Sequence, residues 1–184
     1  MDLQLSTARL TVRDWSQDDA RDAFAIYGSP EVAHWLTPAM APVPDVAAMT
    51  PVLQRWRDAQ HALVPPLGRW AVQRTEDGAV VGGLGIHRLP PYDEDFELTW
   101  QLNPQVWGRG YAVEAAAGLI DWAFTHDVDE LFAVARPANA RAVATARRLG
   151  MQWVGETTKY YGLTLQVYRI RPGDRPPDRR RGRG

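Results

Sequence analysis

The strongest constraint in the sequence is a glycine-rich junction at residues 105–112, which reads Gln-Val-Trp-Gly-Arg-Gly-Tyr-Ala. It separates a strand-like segment, residues 95–102, from a helix-like segment, residues 111–125. A strand that turns through glycines into a helix directs backbone N–H groups outward at the positive end of the helix dipole. Glycine at positions 108 and 110 lets the backbone approach a bulky anion. The junction therefore predicts either a site for phosphate oxygens or an ordinary tight turn.

The neighbouring residues exclude two well-known phosphate loops. No Lys-Ser or Lys-Thr pair follows Gly110, so the junction is not a P-loop. Val113 stands where the Gly-x-Gly-x-x-Gly dinucleotide fingerprint needs its third glycine. A phosphate at this junction would therefore belong to another kind of ligand.

The segment from Phe96 to Ala115 is more specific than the two glycines alone. It resembles the acyl-CoA-binding core of the GCN5-related N-acetyltransferases (GNAT). It matches their Gln/Arg-x-x-Gly-x-Gly/Ala signature at Gln105, Gly108 and Gly110. The resemblance implies an enzyme that moves an acyl group from acyl-CoA to an amine.

Several segments are similar to one branch of that family, the RimJ/RimL type, which acetylates the N-termini of ribosomal proteins. They are Trp-Gly-x-Gly-Tyr-Ala-x-Glu-Ala at 107–115, Leu-Ser-Thr-Ala-Arg-Leu-Thr-Val-Arg at 5–13, and Pro-Ala-Asn at 137–139 ahead of Leu-Gly-Met at 149–151. The resemblance runs from about residue 3 to about residue 171, which is nearly the whole chain.

Hydrophobic periodicity predicts an α/β domain. Strands are expected over residues 3–14, 69–74, 80–88, 95–102, 131–135, 152–155 and 166–171, and helices over 17–27, 30–36, 46–61, 111–125 and 139–149. The resemblance implies the GNAT fold, with a central mixed, mostly antiparallel sheet of about seven strands flanked by helices on both faces. We expect one N-acyltransferase domain over residues 1–172 and a disordered Arg-rich tail over 173–184.

Composition narrows the chemistry. The chain has no cysteine, which excludes disulfides, thiolate metal sites and a cysteine nucleophile. Its four histidines show no metal-type pairing, so no metal is expected. No apolar run reaches ~18 residues, and the N-terminus lacks the basic and apolar regions of a signal peptide. These features predict a cytoplasmic protein that makes no membrane contact.

The tail concentrates positive charge. Residues 175–184 carry five Arg and one Asp, although the whole chain has a net charge of −1. We expect a solubilising tail without a partner, and the alternative is a contact with nucleic acid or the ribosome. A homodimer is a further expectation from the family.

The resemblance also implies which residues contact acyl-CoA. The loop whose amides would take the pyrophosphate comprises Trp107, Gly108, Arg109, Gly110, Tyr111 and Ala112. The pantetheine arm would pair like an extra strand near Leu102 and Asn103. Asn139 would lie beside CoA, and its alternative role is to cap a helix. Arg147 would reach the ribose 3′-phosphate, whereas Arg141 and Arg148 are expected on a solvated helix face.

Glu97 is the candidate general base. It lies within a predicted strand among apolar neighbours, where burial would raise its pKa and suit it to remove a proton from an amine. The alternative is an exposed carboxylate or an ion pair with an arginine. A main-chain N–H near Gln101 or Leu102 would polarise the acyl carbonyl, by family resemblance.

The general acid and the acceptor pocket are less well defined by the sequence. The branch often carries Ser three residues after the Asn, but this chain has Ala142 there. Tyr160 or Tyr161 could replace it, and we take Tyr160 as the candidate. Trp35 and Trp100 are candidates for the walls of the acceptor pocket, with burial in the core as the alternative.

The expected function is direct transfer of an acyl group, acetyl by default, from acyl-CoA to an amine. The acceptor could be a protein N-terminus, an amino acid or an aminoglycoside-like antibiotic. The alternative is a catalytically weak CoA-binding module with a regulatory or ribosome-associated role.

Overall fold

The computed structural model describes residues 3–174, so the predicted tail lies, from residue 175 onward, outside the described residues. The strands in this part of the chain are β1 (Gln4–Ser6), β2 (Leu10–Asp14), β3 (Gly68–Arg74), β4 (Val80–Arg88), β5 (Phe96–Leu102), β6 (Leu131–Ala135), β7 (Gln152–Thr157) and β8 (Leu165–Ile170). The α-helices are α1 (Ala20–Tyr27), α2 (Pro30–Leu36), α3 (Val46–Gln60), α4 (Tyr111–Ala123) and α5 (Ala140–Arg148). Short 3₁₀ turns precede α1 and α4.

The strands form one sheet in the order β1-β2-β3-β4-β5-β6-β8-β7. Every neighbouring pair is antiparallel except β5 and β6, so the predicted mixed, mostly antiparallel sheet is confirmed. The described residues form eight strands because the segment predicted as one strand folds back on itself. Thr7 closes that turn, since its N–H donates to the carbonyl of Leu10 at 2.8 Å.

Helices cover both faces of the sheet, as the sequence predicts. On one face, Leu119 and Ile120 of α4 are buried with Leu98 of β5. On the other, Ile26 of α1 and Leu53 of α3 are buried in a cluster that includes residues of β3 and β4. Because side chains alternate across a strand, each strand contributes to both layers. No helix of residues 3–174 is long and apolar enough to cross a membrane.

The sheet opens between β5 and β6. Within the described residues, these parallel neighbours pair only at Glu97 opposite Phe132. On the other edge of β5, the N–H of Asn103 donates to the carbonyl of Val81 on the β4 side at 2.9 Å. Backbone groups alternate in direction along a strand, so the N–H and C=O of Leu102 point towards the opening. The fold therefore leaves the C-terminal half of β5 with one edge available to a ligand.

Candidate active site

A cleft of about 1480 Å³ begins at the opening between β5 and β6. It is larger than the roughly 300–1,000 Å³ typical of small-molecule pockets, which suits a long ligand together with a second substrate. Most of the sequence-predicted site residues line it: Trp35, Glu97, Trp100, Leu102, Trp107, Gly108, Arg109, Gly110, Tyr111, Ala112 and Asn139. Asn103, Arg147 and Tyr160 are not among its lining residues.

The glycine loop occupies the end of the cleft where α4 begins. Gly108 and Gly110 both have φ of 80°, the left-handed region that favours glycine. Gly110 is the N-cap of α4, and a Cβ at Gly108 would meet no atom within 4 Å. The first-turn N–H groups of α4 have no partner inside the helix, so they are available to an anion in the cleft. The loop therefore has the backbone geometry that an anion site needs, and anion binding there stays a prediction.

Three residues with no role assigned from the sequence, Arg9, Glu114 and Thr7, form a hydrogen-bonded group that holds this loop in place. Arg9, in the turn between β1 and β2, donates through Nε to Glu114 Oε2 at 2.7 Å and through Nη2 to the carbonyl of Arg109 at 3.1 Å. Thr7 donates to Glu114 Oε1 at 2.6 Å. Both Arg9 and Glu114 lie within the motifs that carry the family resemblance, but their contact spans more than a hundred positions of sequence.

The end of β5 is closed by structural hydrogen bonds. The indole of Trp107 donates to the carbonyl of Leu102 at 3.0 Å. The side chain of Asn103 accepts from the N–H of Gln105 at 3.0 Å and so caps a 3₁₀ turn. Asn103 does not line the cleft, and its backbone N–H and its side-chain oxygen have partners within the protein, so its contact with the pantetheine arm stays a prediction.

Helix α5 forms the wall of the cleft that faces the glycine loop. Asn139 caps it by accepting from the N–H of Ala142 at 3.2 Å, so its capping role is confirmed, and it also borders the cleft. Arg141 lies over the Trp107 ring, with 4.1 Å from Cζ to the ring centroid. Arg141 and Arg148 line the cleft, whereas Arg147 is exposed beside it. Arg141 and Arg148 were expected on a solvated helix face, but the helical phase directs them to the cleft, whereas the contact of Arg147 with a ribose 3′-phosphate stays a prediction.

A second group of polar residues lies on the face of β5 that carries Glu97. Thr99 and Gln101 share this face because side chains alternate along a strand. Arg69 of β3 and His87 of β4 border the same part of the cleft. Trp100 points to the other face and packs against the α4 core, so it borders the cleft from the glycine-loop side. Trp100 was expected to wall the acceptor pocket, but its side chain lies on the face of β5 opposite to Glu97 and its polar neighbours.

Glu97 is buried, with 6% of its surface exposed. Burial raises the pKa of its carboxyl to about 7, against the lowering effects of a hydrogen bond from Tyr161 and the charge of Arg69. The Tyr161 hydroxyl donates to Glu97 Oε2 at 2.5 Å. Of the alternatives open from the sequence, the structure therefore has the buried carboxylate.

The tyrosine beside Glu97 is Tyr161, one position after the predicted Tyr160. Tyr160 donates to Asp95 Oδ2 at 2.7 Å, outside the cleft. Tyr161 adopts a left-handed φ of 54°, which turns its side chain towards Glu97 instead. Burial and the adjacent carboxylate raise the pKa of Tyr161, so it keeps its proton at neutral pH. Strand alternation alone could not have chosen between two adjacent tyrosines in a turn.

His87 has no assigned role from the sequence but lines the cleft beside Thr99. Its Nε2 lies 3.4 Å from Thr99 Oγ1. Burial and the charge of Arg69 lower the pKa of His87 to about 3, so it is neutral near pH 7. Neutral His87 leaves Arg69 and Glu97 as the charged groups of this polar cluster.

The raised pKa of Glu97 predicts a pH-dependent cost in stability. A folded pKa above the unfolded one favours the folded state at low pH, and that contribution is lost as pH rises from about 4.3 to about 7. Relative to Glu97→Gln, the natural protein should thus lose about 2 kcal/mol of unfolding free energy between pH 5 and pH 8. Urea unfolding at both pH values measures this. A difference between the two proteins that does not change with pH would contradict the raised pKa.

Comparison with known proteins agrees with the geometry. A family model described as an acetyltransferase (GNAT) domain matches residues 9–152. An uncharacterized N-acetyltransferase, p20 of Bacillus licheniformis, is 27% identical over 168 residues, which cover 89% of this chain and 92% of the relative.

Solved structures show the same fold. Ribosomal-protein-S5-alanine acetyltransferase from Vibrio fischeri superposes with a TM-score of 0.73 at 18% identity, covering 96% of this chain and 100% of that one. The microcin C7 self-immunity acetyltransferase MccE, solved in complex with acetyl-CoA and AMP, superposes with a TM-score of 0.72 at 13% identity, covering 89% and 93%. At these identities the likeness establishes the fold, and the site must be argued from the residues of this chain.

Proposed function

This chain belongs to the acetyltransferase (GNAT) domain family, and from that premise we propose that it transfers an acetyl group from acetyl-CoA directly to a primary amine. It is an N-acetyltransferase of the GNAT type. The observation that carries the proposal is the placement of a buried carboxylate with a pKa of about 7 in the strand whose C-terminal half is left unpaired on the side of β6, since the described residues of β5 and β6 pair only at Glu97 itself. A base and a binding edge for the acyl donor thus meet in one cleft.

The glycine loop is proposed to hold the pyrophosphate of the acyl donor. Its left-handed Gly108 and Gly110 expose backbone N–H groups at the start of α4, whose dipole favours negative charge there. Arg141 and Arg148 border the same end of the cleft and add positive charge. Acetyl-CoA supplies the activated acyl group as a thioester.

The edge of β5 is proposed to orient and polarise the thioester carbonyl. The N–H of Leu102 points into the opening by strand alternation. A fixed backbone N–H aimed at a carbonyl oxygen stabilises the negative charge that develops there when the amine attacks. The Trp107 indole occupies the Leu102 carbonyl, which keeps this part of the strand in one conformation.

Glu97 is proposed to take the proton that the amine must lose, directly or through a water molecule. A pKa of about 7 leaves it sufficiently ionised near neutral pH and makes it a stronger base than an ordinary carboxylate. The bond that forms joins the amine nitrogen to the acyl carbon, and the bond that breaks is the thioester carbon–sulfur bond. The proton from nitrogen passes to Glu97.

Tyr161 is proposed to hold the Glu97 carboxylate and to return a proton to the departing thiolate. Its hydroxyl is protonated at neutral pH, and it donates to Glu97 Oε2. Ala142 lines the cleft where related enzymes often carry Ser, so no hydroxyl is available from that position. A proton received from Glu97 would restore Tyr161 after each turnover.

The ribosomal-protein branch remains a proposal about the acceptor. The motif at 107–115 and the opening at 5–13 are similar to that branch, and two structural neighbours bear such names. The alternative, a CoA-binding module without turnover, is less well supported, because an inert module has no need for a buried carboxylate with a raised pKa.

Release of CoA thiol, measured with acetyl-CoA and succinyl-CoA against a panel of amines, tests the proposal. The panel should contain free amino acids, peptides with free N-termini and aminoglycosides. We expect acetyl-CoA consumption that depends on the amine, with the acetylated product identified by mass spectrometry. Binding of acetyl-CoA without amine-dependent release across the panel would overturn the proposed activity and favour the module.

A further inference from the structure

Arg69 is a charged residue inside the cleft that the proposed transfer does not use. It lies on β3, two strands away from Glu97, and it borders the same part of the cleft as Glu97, Thr99 and Tyr161. Burial lowers the pKa of its guanidinium, while the charges of the surrounding tyrosines and of Glu97 raise it. Arginine nevertheless stays charged at physiological pH. The molecule therefore keeps a partly buried cation on the side of the cleft opposite the glycine loop.

The protein holds this side chain from behind. Its Cζ lies 5.2 Å from the centroid of the Trp56 ring, and its own backbone N–H donates to Gln60 Oε1 at 2.9 Å. Trp56 is in turn fixed by an edge contact with Tyr27, at 5.1 Å between ring centroids. This support orients a guanidinium before any ligand arrives.

The guanidinium of Arg69 belongs to a residue that lines the cleft, and it has no carboxylate ion pair among residues 3–174. Glu97 is close enough for each charge to shift the pKa of the other, but the two are not in contact. A gap thus separates the proposed base from a fixed cation.

Sheet register places Arg69 and Glu97 on the same face of the sheet, two strands apart. Arg69 is opposite Gly85, and Gly85 is opposite Thr99, so the middle position of this row has no side chain of its own. Neighbouring strands lie ~4.8 Å apart, so two strand spacings separate the backbone of Arg69 from that of β5. A Cβ at Gly85 would come within 2.3 Å of the His87 ring and 2.9 Å of Thr99 Oγ1, so the neutral imidazole of His87 lies over Gly85.

We infer that Arg69 binds a carboxylate of the acceptor, so that the acceptor is an amine bearing a carboxylate in the same molecule. This inference rests on the proposed function, because it needs the amine at Glu97. A planar guanidinium with five donors pairs with a carboxylate through two parallel hydrogen bonds. With the amine at Glu97 and the carboxylate at Arg69, both charges in the gap acquire a partner of opposite sign.

Two sources supply this chemistry, a free amino acid and a peptide with an acidic side chain near its N-terminus. The test compares free amino acids with their carboxamides, and Ala-Asp peptides with Ala-Asn peptides, under saturating acetyl-CoA. Removing the carboxylate lowers the amine pKa and leaves more free base, so intrinsic reactivity favours the amide. A preference for the acid consequently reports recognition by the protein.

We expect at least a tenfold preference in kcat/KM for the acid member of one pair, expressed mainly in KM. Arg69→Gln should reduce that ratio to near one, while turnover of the neutral member changes less than about threefold at pH 9, where Glu97 is ionised. Arg69→Lys should recover part of the preference, because it restores the charge but not the fork. Arg21→Gln, an exposed arginine of α1 outside the cleft, is the matched control and should leave the ratio unchanged.

Three outcomes would overturn the inference. The first is equal use of acid and neutral amines by the natural protein, with the proposed activity intact. The second is an equal loss on both members in Arg69→Gln, which would assign Arg69 to the positioning of Glu97 alone. The third is a stronger preference for aminoalkylphosphonates than for carboxylates. Absence of CoA release with every amine would instead remove the proposed function.

Discussion

Glu97→Gln is expected to lower turnover about 100-fold while leaving the dissociation constant of acetyl-CoA nearly unchanged. The amide keeps the shape of the carboxyl and can still accept from Tyr161, but it cannot take a proton. In the natural protein, kcat/KM should rise as pH increases through about 7, because the carboxylate is the active form. In the variant, only the pH dependence that comes from protonation of the amine substrate should remain. Steady-state kinetics from pH 6 to 9 with a fixed amine, expressed per concentration of its free base, would measure both effects.

Glu156→Gln provides the matched control, since Glu156 is exposed on β7 and does not line the cleft. It should behave like the natural protein at every pH. Turnover of Glu97→Gln within about threefold of the natural value at neutral pH would make Glu97 structural. The amine would then lose its proton elsewhere, and the short contact with Tyr161 would be a core hydrogen bond.

Gly110→Val should weaken acetyl-CoA binding at least tenfold, which corresponds to about 1.4 kcal/mol. Gly110 combines a φ of 80° with the N-cap position of α4, and a β-branched residue resists that conformation. Relief of the strain would rotate the backbone N–H groups that are proposed to face the pyrophosphate. Isothermal titration calorimetry with acetyl-CoA measures the change.

A second glycine separates backbone strain from ligand binding. Gly78 has a φ of 74° in the turn between β3 and β4, and it does not border the cleft. Gly78→Val should therefore destabilise the protein to a similar extent while acetyl-CoA affinity stays within about twofold, because the loop is untouched. Unchanged acetyl-CoA affinity in Gly110→Val, or an equal loss of affinity in both variants, would show that the glycine loop does not bind the pyrophosphate.

Much of the fold follows from local patterns in the sequence. Helix α2 matches its prediction at both ends, because Pro30 at its first turn and Pro38 beyond its last turn delimit it. The split between β1 and β2 escaped prediction because Leu5, Leu10 and Val12 read as one alternating run. The turn is defined by hydrogen bonds of Thr7 and by pairing of the two halves, neither of which periodicity reveals.

The candidate site, like the fold, could be predicted only in part from the sequence. The place of Gly108, Gly110 and Glu97 in the cleft was predictable, because each carries its signal within a short motif. The place of Arg69 was not, because it depends on register across three strands. The glycines at 82, 83 and 85 did offer a signal, since glycine inside a strand often marks a close approach. The helical phase that separates Arg147 from Arg148 required the structure.

Among residues 3–174, the single pairing of Glu97 with Phe132 is the register that joins β5 to β6. The unit formed by β6, β8 and β7 is joined to the other five strands by that one register and by side-chain packing. A ligand that fills the opening would border both parts of the sheet, and it would stabilise the folded state by an amount that grows with the logarithm of its concentration above its dissociation constant. We therefore expect cellular acyl-CoA to govern the lifetime of this protein as well as its rate: depletion would expose the seam between the units to proteases before any residue of the site had changed.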